Sequence, residues 1–218
     1  MSILLDMIPI IVTLLEKDDL RVANVEGMKK KFPNLRVMPA LDGVTQWDEV
    51  VRFIEDWEIP LRYDNRKAGD QLNKKGKVAR WATLIKAMKY VYDHKLGNTV
   101  ILEDDVTLPE GFDFGEDKWE DGHIAKLAMW GEGYGVNHTG AEHYLRMVCE
   151  AEQISLHSDE FIARKCKKAG PGWIINSKLG GHLVVATNKG HLINSPTYDY
   201  EFPIESYSRT QPLINKML

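Results

Sequence analysis

The stretch "IPIIVTLL", residues 8–15, is apolar and β-branched almost without interruption. A strand with one wet face alternates apolar and polar side chains, so a continuous run of this kind belongs to a sheet covered on both faces. A polar and apolar stretch suited to a helix follows it, from Lys17 to Phe32. "NLRVMPALDG" then predicts a second short strand that ends in a turn at Asp42 and Gly43. Thr45 with Asp48 predicts the cap of a helix running to about Trp57. From Lys77 to His94 the apolar residues Val78, Trp81, Ile85, Met88, Val91 and Tyr92 keep helical spacing. "GNTVILEDDV" follows as a turn and a strand.

Between the second and third helices, residues 60–76 are polar, glycine-bearing and without period, the pattern of a long surface loop. Further on, "HIAKLAMW" predicts a strand and "GEGYGV" a tight connection or short strand. Thr139 and Glu142 have the spacing of a capping box for a helix through about Gln153, and Ser158 starts another. Beyond Gly170 short strands and turns are expected. The alternation predicts an α/β fold, a central mostly parallel, mixed β-sheet flanked by α-helices, in a single domain over residues 1–218.

A formal charge of −4, with 44% hydrophobic and 28% charged residues, gives no bulk attraction to nucleic acid or acidic lipid. The apolar start carries Asp6 and Pro9, lacks a basic lead and is too short to span a bilayer, so a soluble cytoplasmic protein is expected. Cys149 and Cys166 fit neither a disulfide framework nor a zinc ribbon, so reduced thiols are expected.

The chemistry gathers at "VILEDDV", residues 100–106, where Glu103, Asp104 and Asp105 stand directly behind three core-type residues. In open α/β sheets ligands bind beyond the carboxyl ends of the strands, which is where this places them. Residues two apart in an extended segment point the same way, so Glu103 and Asp105 are expected to converge on one cation while Asp104 faces elsewhere, toward the nucleotide. A divalent ion, Mn²⁺ or Mg²⁺, relieves the acids' repulsion and suits hard carboxylates.

Several stretches together resemble the family 25 glycosyltransferases, the lipopolysaccharide-type and collagen-type galactosyltransferases. They are a strand leading into "LLEKDDLR", then "VMPALDG", then a helix before "VILEDDVTLPEGF", then "GYGVNHTGAEHYL", spanning about residues 8–165. The resemblance implies a GT-A fold in which an acid-x-acid motif, here Glu103 and Asp105, holds the metal that bridges a nucleotide-sugar's diphosphate. It also implies inversion at the anomeric carbon, Arg21 as a phosphate contact, and Asp159 in "HSDEFIA" as the base, with Glu160 as its substitute. GT-A enzymes often take a metal-binding imidazole from the C-terminal region, where His182 and His191 stand. Where the family shows a Gly-Cys-x-x-Ser-His pattern entering the helix before the acids, this chain has "GKVARWATL".

Other candidates come from the residues themselves. Lys74, Lys75, Lys77 and Arg80 crowd a helix start, where the dipole disfavours cations, so an anionic partner such as phosphate accounts for them; Arg80, nearest the helical region, is the first candidate, with Lys77 beside it. Asp42, at the end of the second strand, shares a crevice edge with Thr13 and Leu14 of the first and can accept hydrogen bonds from a base or ribose.

The function expected is a metal-dependent hexosyltransferase that moves a sugar from a nucleotide-diphosphate donor, UDP-linked by expectation, to a hydroxyl of a glycan or glycoprotein. A metal-dependent nucleotidyl or phosphoryl transferase is the alternative enzyme, although the chain has no P-loop pattern. A nucleotide-sugar-binding module without chemistry is the third reading.

Overall fold

The computed structural model describes residues 9–16, 19–59, 74–107, 124–126, 133–152, 154, 157–162, 173–175, 184–186 and 192–193. The first strand, β1 (Ile10–Leu14), is followed by α1 (Asp19–Lys31), β2 (Leu35–Pro39), α2 (Trp47–Asp56), α3 (Lys75–Asp93) and β3 (Thr99–Glu103). Then come β4 (Val106–Thr107), β5 (Ile124–Lys126), β6 (Gly133–Val136), α4 (His138–Glu150) and α5 (Ser158–Phe161). Three short strands close the series: β7 (Trp173–Ile175), β8 (Val184–Ala186) and β9 (Leu192–Ile193).

The main sheet has the order β2-β1-β3-β6-β5-β7. β1 runs parallel to both β2 and β3, and β5 parallel to β7, while β6 is antiparallel to β3 and β5. It is therefore the mixed α/β sheet that the sequence predicts. A second sheet, β4-β8-β9, begins where the chain leaves β3.

The continuous apolar runs have the expected cause. Ile10, Val12 and Leu14 of β1, with Val100 and Leu102 of β3, pack with Val25 and Met28 of α1 and with Phe32 just after it. Ile11 and Ile101 point to the opposite face and join the core built on α3 and α4. Alternating side chains thus serve two cores, one on each side of the sheet. Helix α3 lies deepest, with Val78, Trp81, Ile85, Met88 and Val91 all buried, the burial expected of a helix packed on several sides. Trp81 meets Phe161 of α5 at 5.4 Å between ring centroids and Tyr144 of α4 at 6.4 Å, so one aromatic trio joins three helices.

Helix starts differ from the sequence reading where a different side chain reaches the free N–H groups. Asn137, in extended backbone, accepts from the Gly140 N–H at 2.9 Å and caps α4, so the helix begins ahead of Thr139. At α2 the N-cap is Gln46, and the Thr45 hydroxyl instead donates to Asp42 at 2.9 Å. α3 begins at Lys75, and α4 closes at Glu150. No helix among the described residues is long and apolar enough to cross a membrane.

Candidate functional site

Parallel β2-β1-β3 pairing sends three carboxyl ends to the same edge of the sheet. The cleft there is lined by Thr13 and Leu15 after β1, Ala40 and Leu41 after β2, and Leu102, Glu103 and Asp104 at the end of β3. Gly76, Arg80, Thr83 and Leu84 of α3 form its roof, with Tyr134 of β6 and Arg21 of α1 at its sides. Its volume of about 170 Å³ is many times that of one water, enough for a ring-sized ligand group.

The crowded acids are relieved by arginines. Arg21 donates through Nη1 to Asp104 Oδ1, and its Nη2 lies 3.3 Å from Asp105 Oδ2. The Leu15 N–H donates to Asp104 Oδ2 at 2.7 Å. Arg80 Nε donates to Glu103 Oε1 at 2.5 Å. Asn24 holds the turn from behind: its Nδ2 donates to the carbonyls of Asp104 at 2.9 Å and Val106 at 2.8 Å. Arg21 and Asn24 are three apart on α1 and therefore share a helix face.

Burial sets the electrostatics. It opposes the charge on Arg21, but Asp105, Asp104 and Glu103 outweigh it and raise that guanidinium's pKa. Asp104 goes the other way from what its ion pair alone would give. Burial pushes its carboxyl above the usual value, assisted by Asp105, and exceeds the opposing pull of Arg21 and the Leu15 N–H. Tyr134 is 2% exposed, and burial, with the charges of Asp159 and Glu103 added against that of Arg80, drives its phenol well above the ordinary range.

Thr13, Arg21, Arg80, Glu103 and Asp104 are brought together on the cleft. Leu14 is not on it: alternation turns its side chain into the α1 core, and Leu15 lines the cleft instead. Asp42 is buried within its turn, where it accepts from the Val44 N–H and the Thr45 hydroxyl, each at 2.9 Å. Lys77 is in the first turn of α3, outside the lining, while neighbouring Lys75 lies over the Trp47 ring at 4.8 Å. Asp159 and Glu160 are in the first turn of α5, held against α3 by Phe161, and Asp159 is close enough for its charge to bear on the Tyr134 phenol. His182 and His191 lie outside the described residues, as does Cys166, while Cys149 is a buried free thiol.

Asp104 and Asp105 form a turn, so the extended spacing that would set Glu103 beside Asp105 ends at Glu103. A divalent cation needs several oxygen ligands aimed at one point. Among the described residues no group of three or more His, Cys, Asp or Glu side chains is arranged to hold one. In this arrangement Asp104 and Asp105 meet Arg21, and Glu103 meets Arg80.

Leu15, Asn24, Thr83 and Tyr134 are site residues that the sequence reading omitted. A polar residue three places from Arg21 on one helix was the available sign for Asn24, and an aromatic between two glycines in "GYGV" was the sign for Tyr134.

No described protein family matches the chain, and no curated protein does. Four chains of solved structures match. One is the crystal structure of a glycosyltransferase involved in the glycosylation of the major capsid of PBCV-1, at 12% identity and a TM-score of 0.39, covering 78% of this chain and 81% of that one. A likeness of that size leaves the functional assignment to the site's own geometry.

Proposed function

We propose that this chain is a glycosyltransferase that takes a sugar from a nucleotide-diphosphate donor, UDP-linked, and passes it to a hydroxyl of a glycan or glycoprotein. The observation that carries the reading is the cleft at the carboxyl ends of β1, β2 and β3, with Arg21 and Arg80 both on its lining. That is the edge where open α/β sheets take ligands. Two guanidinium groups there suit a diphosphate, whose oxygens match the planar fork of an arginine.

In this reading the base and ribose lie against the β1 and β2 ends, by Thr13, Leu15 and Leu41. The diphosphate takes the guanidinium of Arg80, whose side chain is 31% exposed and so has room to turn from Glu103. Asp159 accepts the proton of the acceptor hydroxyl as its oxygen bonds to the anomeric carbon and the sugar's bond to the nucleoside diphosphate breaks. General-base assistance of this kind is worth about 10²- to 10⁴-fold. Mn²⁺ or Mg²⁺ would have to take Glu103 or Asp105 from its arginine, so dependence on a metal is a separate arm of the test.

The test is incubation with a panel of nucleotide-sugars, with and without Mn²⁺, while nucleoside diphosphate release is followed. Slow release of UDP with water as acceptor supports the transferase. In a parallel incubation with nucleoside triphosphates and a sugar 1-phosphate, release of pyrophosphate would make the chain a nucleotidyl transferase, and ligand-induced thermal stabilisation without turnover in either incubation would make it a binding module. Glu103→Gln and Asp105→Asn should each reduce release at least tenfold; turnover untouched by both would overturn the placement of the site.

A further inference from the structure

Tyr134 lines the cleft and is 2% exposed, yet its hydroxyl is buried with no hydrogen-bond partner among the described residues. Nearly all buried polar groups in folded proteins are paired, and one that is not calls for a ligand, a water or a strained function. Nothing in the local fold forces a tyrosine here. Tyr134 stands opposite Ile101 in the β3-β6 pairing, where phenylalanine would fill the same core space without the orphaned oxygen.

The surroundings indicate which kind of group would meet it. Tyr134 lies on β6, across β3 from the β1 and β2 ends that form the other wall of the cleft. Asp159, Glu103 and Arg80 are the charged groups that act on its hydroxyl. Two acids make this end a poor place for a phosphate but a good one for a neutral hydroxyl, which can receive from one neighbour and donate to another. We propose that the Tyr134 hydroxyl is a specificity contact that donates to a hydroxyl oxygen of the donor's sugar, while that sugar hydroxyl donates to Glu103. The assignment rests on the glycosyltransferase reading. As Arg80 turns from Glu103 to the diphosphate, the Glu103 carboxylate can accept from the sugar hydroxyl that Tyr134 holds, so seating of the diphosphate favours the sugar contact.

The test is Tyr134→Phe, which removes one oxygen and keeps the ring. Calorimetric binding of UDP and of UDP-galactose, UDP-glucose and UDP-N-acetylglucosamine is compared between the two proteins, beside their melting temperatures without ligand. The expected result is an unchanged or higher melting temperature, unchanged affinity for UDP, and about tenfold weaker affinity for the UDP-sugar that the natural protein binds best. A merely structural tyrosine would not separate UDP from the UDP-sugar. Equal loss for both ligands, no loss for either, or a clearly lower melting temperature overturns the assignment of Tyr134 while leaving the transferase reading in place. If the natural protein binds none of the four compounds, the transferase reading falls and this contact with it.

Discussion

Arg21 closes on Asp104 from 83 residues away in sequence, its guanidinium in the first turn of α1 and the carboxylate in the turn that follows β3. The carboxylate is 3% exposed and the arginine 23% exposed, so neither is a surface group. Arg21→Met should therefore leave Asp104 and Asp105 enclosed without their cation, at a cost of about 3–5 kcal/mol in urea unfolding. Adding Asp104→Asn to the same chain should return part of that loss. A change below about 1 kcal/mol would place the pair among exposed bridges of little worth.

The raised pKa of Asp104 predicts the direction of a pH effect. Because burial makes the folded chain bind this proton more tightly than the unfolded chain does, the group's contribution to stability is fully present below its unfolded pKa of about 3.9 and is lost as pH rises through the folded value. Unfolding free energies of the natural protein and Asp104→Asn, measured from pH 3 to 7, should show the natural protein losing ground to the variant as pH increases. A gain over that interval would mean that Arg21 and the Leu15 N–H outweigh burial.

Asn24 satisfies two backbone carbonyls of the acidic turn, and nothing of its own size replaces it in Asn24→Ala. The expected loss is about 1–3 kcal/mol. Asn24→Asp is the more telling variant, because its acceptor oxygens would face those carbonyls and add a fourth acid to the cluster. It should be less stable than the alanine variant by chemical denaturation.

Gly43 sits where a Cβ would come within 2.3 Å of the Lys75 backbone carbonyl and 2.5 Å of the Gly76 nitrogen. Backbone cannot yield as the end of a side chain can, so Gly43→Ala should shift the start of α3 and lower the melting temperature by several degrees. Gly76 lines the cleft, so ligand binding should weaken in the same variant. An unchanged melting curve would refute the close approach.

Much of this arrangement was legible in the sequence, and the reasons differ from place to place. β1 and β3 could be read because their apolar runs are long and both of their faces are buried, and α3 because the helical spacing of its apolar residues holds from Val78 to Tyr92. Asp42 was ambiguous for a physical reason: a short carboxylate after a strand serves a turn and a ribose equally well, and here its oxygens serve the turn. The expected alignment of Glu103 with Asp105 assumed extended backbone through residue 105, whereas the chain turns at Asp104. Asn24 and Tyr134 matter through partners or neighbours far along the chain, and the spacing of residues in one segment carries no sign of those.

The acidic turn is also a splice. β3 enters it from the six-stranded sheet, and β4 leaves it to pair with β8 of the three-stranded one. Arg21 and Asn24, which hold residues 104–106, therefore also hold the start of the strand that pairs with β8, itself paired with β9. Charge at the cleft and the posture of a distant ribbon are tied by two residues of polypeptide.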